Sequence, residues 1–191
     1  TDHPGRREMV IDYCGKEPPL DLYTDDNWTH MPTSNDQLRI EAELTRYVSP
    51  LSVWLHVGIG NSSLAMRYSR KLKQLDGITV VQEEIDTAPE IFNYHPRLCN
   101  KYSPAIDNGN RYDVIIDTTP GAHACCWKHY HDYLANVRVI LAPAGVLLTD
   151  TVGLAWHRPT GHGSTPEEFA SLLAAHGMNM RPLTDFVLEV W

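Results

Sequence analysis

Two glycines that directly follow a short apolar run form the most chemically informative pattern in this sequence. The run at residues 52–57 is typical of a buried strand, and Gly58 and Gly60 come next. Glycine lets the backbone approach a ligand closely. A helix that begins at Asn61 or Ser62 would offer its unpaired N–H groups to the same ligand. The pattern therefore predicts a binding site at the carboxyl end of this strand.

An acidic residue after the next apolar run strengthens this prediction. We predict that a helix fills residues 62–75 and that a second strand follows at residues 78–83. Glu84 would then stand at the end of that strand, with Glu83 as a neighbouring alternative. A carboxylate at this place can hold the two hydroxyls of a ribose. A glycine pair alone is a weak signal, and the acid makes a nucleoside-containing ligand the preferred interpretation.

These residues resemble the first motif of the class I S-adenosylmethionine-dependent methyltransferases, which is acid-x-Gly-x-Gly-x-Gly. Gly58 and Gly60 match its two central glycines, whereas His56 stands at the acid and Ser62 at the third glycine. Glu84 falls where the family has its ribose-binding acid. The resemblance implies S-adenosylmethionine as the cofactor. The cofactor contacts that it implies in this segment are His56, Gly58, Gly60, Asn61, Ser62 and Glu84.

The resemblance extends over residues 50–191. Tyr112–Asp117 is similar to the fourth strand of the family, and Leu141–Asp150 is similar to its Pro-Gly turn and fifth strand. Asn100 falls where the family often has a polar residue near the adenine. Asp117 ends the fourth strand, at the position where the methyl group would be transferred. Both residues are therefore predicted to contact the cofactor.

Histidines in the loops after the fourth and fifth strands are candidates for a general base. His123 lies six residues past Asp117, and His157 lies in the loop after the fifth strand. The unperturbed pKa of histidine suits proton transfer near neutral pH. Methyl transfer from a sulfonium is an in-line displacement that depends largely on positioning. A base is needed only if the acceptor must lose a proton.

The ends of the fourth and fifth strands could alternatively form a metal-binding site. Catechol-type O-methyltransferases hold magnesium with an acid after the fourth strand and an Asp–Asn pair after the fifth. Asp117 and Asp150 occupy these places here, but Thr151 replaces the asparagine and Pro120 stands where those enzymes have a lysine. The resemblance therefore favours a site without a metal.

The order of the predicted elements indicates an α/β fold. Strands and helices alternate over residues 52–150, which gives a mostly parallel, Rossmann-like sheet with helices on both faces. Capping boxes at residues 34–37 and 165–168 mark the starts of two helices. Short strands at 178–183 and 186–191 have no helix between them, and they resemble the antiparallel pair that ends the methyltransferase sheet. We expect a seven-stranded sheet, in which Asp76 and Gly77 end the helix before the second strand and a faint third strand lies near residues 98–102.

One domain accounts for the whole sequence of 191 residues. We expect residues 1–48 to form an N-terminal arm and a helix, and residues 49–191 to form the cofactor-binding core. The arm is rich in proline and in residues that favour turns, and it shows little periodicity. It would pack over the cofactor and acceptor sites.

Charge and composition limit the partners. The net charge of -8, from 24 acidic and 16 basic residues, disfavours non-specific binding to nucleic acids. No run approaches the ~20 apolar residues of a membrane span, and the first residues lack the pattern of a secretory signal. Four cysteines show no CxxC spacing. We expect a cytoplasmic protein with a small-molecule substrate and no nucleic-acid or membrane partner; the acceptor atom and the oligomeric state stay open.

Two other classes of function share parts of the pattern. A nicotinamide-dependent oxidoreductase uses a similar glycine turn, but the missing third glycine and the C-terminal strand pair disfavour it. A non-catalytic S-adenosylmethionine-binding module would keep the fold without turnover. The departures from the family motif at His56 and Ser62 are compatible with such a module.

Overall fold

A computed structural model describes residues 31–122, 124, 126–155 and 163–191. The N-terminal arm predicted from the sequence lies mostly outside these ranges. Within them, no helix combines the length and the apolar character that a membrane crossing requires.

Seven strands form one sheet in the order β3-β2-β1-β4-β5-β7-β6. The strands are β1 (Val53–Val57), β2 (Gln74–Thr79), β3 (Tyr94–Leu98), β4 (Tyr112–Ile116), β5 (Leu141–Asp150), β6 (Met180–Pro182) and β7 (Val187–Val190). The first five strands run parallel to one another, while β7 pairs antiparallel with both β5 and β6. This arrangement confirms the predicted mostly parallel sheet with an antiparallel C-terminal pair.

Six α-helices accompany the sheet in the described ranges. They are α1 (Asn35–Glu43), α2 (Ser63–Tyr68), α3 (Gln82–Asp86), α4 (Trp127–Ile140), α5 (Thr151–Leu154) and α6 (Pro166–Ala175). The capping box predicted for α6 is complete, because the Thr165 and Glu168 side chains each bond the other's backbone N–H. The box predicted for α1 is only half formed. Ser34 accepts from the Gln37 N–H, but the Gln37 amide donates to Glu41 and Ser63 instead of reaching back.

The sheet separates two apolar layers. Along β1 the side chains alternate, so that Trp54 packs with α2 residues on one face and Leu55 packs with α4 residues on the other. Both are fully buried. Burying one such side chain contributes roughly 1.5–3 kcal/mol. Because β1 is covered on both faces, its sequence is a nearly continuous apolar run, as is typical of parallel sheets.

The predicted position of the second strand was wrong by about four residues. α2 ends at Tyr68 and β2 runs from Gln74 to Thr79, so Asp76 and Gly77 lie inside the strand instead of ending a helix. Glycine suits this strand position because the Ile59 side chain packs directly against it. A Cβ there would lie 2.6 Å from Ile59 Cγ2.

This shift also corrects the positions of Glu84 and of the third strand. Glu84 does not end β2; it lies in the short helix α3, five residues after the strand. The third strand was predicted near residues 98–102, and it is instead Tyr94–Leu98. Asn100 therefore follows β3, whereas the sequence had placed it inside the strand.

Candidate functional site

A cavity of about 220 Å³ opens where β1, β2, β3 and β4 end. This is the place where open α/β sheets bind ligands, outside the carboxyl ends of the strands at the point where the strand order reverses. Its walls are formed by Val57, Gly58, Gly60, Ile78, Thr79, Val80, Val81, Glu84, Cys99, Asn100, Lys101, Tyr102, Asp117, Thr119 and Ala122.

The glycine turn after β1 forms one wall of this cavity. Gly58 and Gly60 have φ angles of 75° and 51°, and a Cβ built on either meets no atom within 4 Å. The backbone conformation therefore favours glycine here, since another side chain would be strained. Glycine also leaves open space in front of the turn.

Ser62 adopts the left-handed backbone of the glycine that it replaces, with φ 55°. Its hydroxyl lies 3.2 Å from the hydroxyl of Tyr94, which fixes the side chain. The third position of the motif therefore keeps a glycine-like conformation without a glycine.

Glu84 reaches the cavity from α3. Its Oε2 accepts a hydrogen bond from the Gly60 N–H at 3.1 Å. The carboxylate thus lies beside the glycine turn although its residue is not at the end of β2. Glu83 does not belong to the residues that line the cavity.

A buried ion pair forms the part of the cavity nearest β4. Lys101 Nζ donates to Asp117 Oδ2 at 2.9 Å and to the Thr119 carbonyl oxygen at 2.8 Å. Asp117 Oδ1 accepts from the Thr119 N–H at 2.9 Å. Burial lowers the pKa of Lys101, and the neighbouring Asp117 carboxylate opposes this shift.

Asn100 and Tyr102 connect the turns that follow β3 and β4. Asn100 Oδ1 accepts from the Tyr102 N–H at 3.0 Å, and the Tyr102 hydroxyl donates to the Ala122 carbonyl at 2.5 Å. The structure thus brings Asn100 and Asp117 together in one cavity with Gly58, Gly60 and Glu84. Lys101 and Tyr102 were missed because β3 was placed four residues too late, where both would have been strand residues.

His56 and Asn61 do not line the cavity. His56 is only 2% exposed, and burial lowers its pKa to about 4. Within the described ranges its Nδ1 has no hydrogen-bond partner. The Asn61 amide donates to the Met31 carbonyl at 3.0 Å, and its Oδ1 accepts from the Ser63 N–H. Asn61 therefore ties the glycine turn to the chain that precedes α1. Ser62 likewise does not line the cavity.

The two histidines predicted as general bases, His123 and His157, lie outside the described residues. Their roles stay predictions. Ala122, the neighbour of His123, does line the cavity.

Both carboxylates of the magnesium alternative are engaged by cationic side chains. Asp117 pairs with Lys101, and Asp150 forms two bonds with Arg39, from Nε at 2.7 Å and from a terminal nitrogen at 2.8 Å. Among the described residues, no three His, Cys, Asp or Glu side chains come together in a metal-binding group.

Comparison with known proteins identifies the fold. No family model matches this sequence, and no curated protein matches it. The N-methyltransferase NodS from Bradyrhizobium japonicum WM9 is similar in structure, with a TM-score of 0.62 and 15% identity over 81% of this chain and 93% of that chain. The DhpI–SAM–HEP complex gives a TM-score of 0.62 and 14% identity over 80% and 83% of the two chains. The chain has the fold of the class I S-adenosylmethionine-dependent methyltransferases.

A third similar structure carries the name of a different activity. Precorrin 8w decarboxylase, from the Methanobacterium thermoautotrophicum genome, matches with a TM-score of 0.59 and 14% identity over 89% of this chain and 95% of that chain. Since the fold alone does not specify a reaction, the function has to be argued from the cavity.

Proposed function

We propose that this protein is an S-adenosylmethionine-dependent methyltransferase that acts on a small-molecule acceptor. The observation that carries the proposal is the single cavity wall shared by the glycine turn and Glu84, where the Glu84 carboxylate lies 3.1 Å from the Gly60 N–H. The fold, at the low identities given above, supports the same reaction class.

The residues of the cavity suit each part of the cofactor. Gly58 and Gly60 leave open space in front of the turn for the methionine part. The Glu84 carboxylate can accept hydrogen bonds from the ribose hydroxyls. Val80 and Val81 offer apolar surface to the adenine of the cofactor, and Asn100 would lie at the polar edge of the adenine.

When bound, S-adenosylmethionine supplies a methyl group on a positively charged sulfur. The protein would then hold the acceptor in line with that methyl group and exclude water, which accounts for much of the rate enhancement in such displacements. If the acceptor loses a proton, His123 and His157 stay our candidates for the base. The net charge of -8 supports a small acceptor over a nucleic acid, and the proposal places the enzyme in the cytoplasm.

Ligand binding provides the direct test of this proposal. We expect S-adenosylmethionine or S-adenosylhomocysteine to bind with micromolar-range affinity. At a hundredfold excess over the dissociation constant, either should raise the free energy of unfolding by about 2.7 kcal/mol, because it binds the native state alone. For a chain of this size the melting temperature should rise by roughly 5–11 °C in a thermal-shift assay. A response to NAD and none to S-adenosylmethionine would contradict the proposal.

Glu84→Ala should weaken cofactor binding more than Glu83→Ala does. Glu84 lines the cavity whereas Glu83, its matched control on the same helix, does not. Losing hydrogen bonds to a charged group should cost about 1.5–3 kcal/mol, which is roughly a 10- to 150-fold increase in the dissociation constant. Isothermal titration calorimetry measures both variants. Equal affinities for the wild type and Glu84→Ala would show that another group holds the ribose.

A further inference from the structure

Lys101 is a buried cation in the cavity wall to which the proposed function assigns no role. Its side chain is 10% exposed and that of Asp117 is 2% exposed, so this is a buried ion pair. The Lys101 ammonium also bonds the Thr119 carbonyl oxygen, and it lies 4.9 Å from the centre of the Tyr133 ring. A lysine held at three sides in this way has a fixed position relative to Asp117.

Lys101 offsets one of the two negative charges that line the described part of the cavity. Among the described lining residues, Glu84 and Asp117 are acidic and Lys101 is basic. Glu84 lies beside the glycine turn, whereas Asp117 lies at the end of β4, on the side where the methyl group would be transferred. At that end of the cavity, Lys101 and Asp117 together carry no net charge.

The charge at this end matters because the proposed cofactor and its product differ in charge at one atom. S-adenosylmethionine carries a positive sulfonium, and S-adenosylhomocysteine carries a neutral thioether. If a unit charge lay within about 7 Å of the sulfur, at an effective dielectric constant near 20, it would change the affinity for the cation by more than tenfold. It would leave the affinity for the thioether nearly unchanged. The ratio of the two affinities therefore reports the charge near the end of β4.

We propose that Lys101 is a specificity-determining residue: by neutralising Asp117, it sets how strongly the site prefers the sulfonium cofactor over the thioether product. This inference rests on the proposed function. A neutral ion pair withholds from the sulfonium the attraction that Asp117 alone would exert. The product then competes with the cofactor, and continued turnover needs a reaction that consumes the thioether.

Three variants test this inference at pH 8 by calorimetric titration with both ligands. Lys101→Met leaves Asp117 uncompensated and should shift the affinity ratio at least tenfold towards S-adenosylmethionine. Asp117→Asn leaves the ammonium and should shift the ratio at least tenfold towards S-adenosylhomocysteine. The double variant Lys101→Met/Asp117→Asn restores a neutral pair, and its ratio should return to within about threefold of the wild type.

The affinity ratio separates a specificity role from a structural one. If the pair only held the turns after β3 and β4 together, the variants would weaken both ligands alike and the ratio would not move, which would overturn the inference. Removing one partner of a buried pair can unfold a protein. If Lys101→Met does not fold, the affinity ratios of Asp117→Asn and of the double variant still test the inference. If the wild type binds neither ligand, the proposed function itself is wrong; if it binds both and no variant shifts the ratio, only the role of Lys101 is wrong.

Discussion

Between pH 7 and pH 4, His56 alone is expected to lower the free energy of unfolding by about 3 kcal/mol. Its pKa is about 4 in the folded protein because burial disfavours the charged imidazole, and about 6.5 in an unfolded chain. As the pH falls through 6.5, His56 becomes protonated in the unfolded chain but stays neutral in the folded protein. Stability is therefore lost as the pH falls from about 6.5 to about 4, with roughly 2 kcal/mol of the loss above pH 5.

The measurement compares urea denaturation of the wild type with that of His56→Leu between pH 7 and pH 5. Leucine fills the buried site on β1 without titrating. The partly buried His176 also has a lowered pKa, through burial and the neighbouring His131, and it destabilises the fold in acid in the same direction. His176 is present in both proteins, so its contribution cancels in the comparison. Parallel curves for the two proteins would show that His56 is not a neutral buried histidine.

Gly153→Ala is expected to destabilise the protein by about 2–3 kcal/mol or more, as overpacked sites do. A Cβ at Gly153 would overlap the carbonyl oxygen of Thr118 and lie 2.8 Å from its carbonyl carbon. In most helices alanine in place of glycine adds up to about 1 kcal/mol of stability. Here the overlap outweighs that gain because the clashing Thr118 atoms belong to the backbone, so they cannot rotate away as a side chain could.

The damage from Gly153→Ala should reach the cavity. Thr118 precedes Thr119, which lines the cavity and whose carbonyl accepts from Lys101. We expect the dissociation constant for S-adenosylmethionine to rise along with the loss of stability. Val152→Ala is the matched control, since Val152 lies on the same helix and is 55% exposed. Its stability should change by no more than about 0.5 kcal/mol. A Gly153→Ala protein as stable as the wild type would show that α5 does not press on this turn.

Strands that are apolar and bounded by turns could be predicted from the sequence. β1 and β4 were located correctly to within one residue at either end, because both are buried on two faces and end at a change in composition. β2 was misplaced because Asp76 and Gly77 resemble a turn. In the structure Asp76 is a buried acceptor for the Tyr112 hydroxyl at 2.6 Å and the Asn110 amide at 2.9 Å. Those donors lie more than 30 residues away in the sequence, so the residues near Asp76 give no indication of these hydrogen bonds.

Several residues that were predicted for the site line the cavity, and for the two glycines the reason is backbone geometry. Gly58 and Gly60 line the cavity because their positive φ angles turn the chain there. Glu84 also lines it, although the reason given from the sequence was wrong, since a helix and not a strand end carries its carboxylate. Lys101 could not be predicted, because a lysine near an apolar segment is usually exposed and only the fold brings Asp117 within 2.9 Å of it.

The central position of β1 in the sheet affects how the chain can fold while it is being made. β1 can pair with β2 once both are synthesised, but its other neighbour, β4, begins about 60 residues after β1. At 5–20 residues per second, the ribosome needs roughly 3–12 s to supply that partner. During this time one edge of an apolar strand is unpaired and open to other chains. The speed of translation between β1 and β4 therefore sets how long the nascent protein is exposed to aggregation.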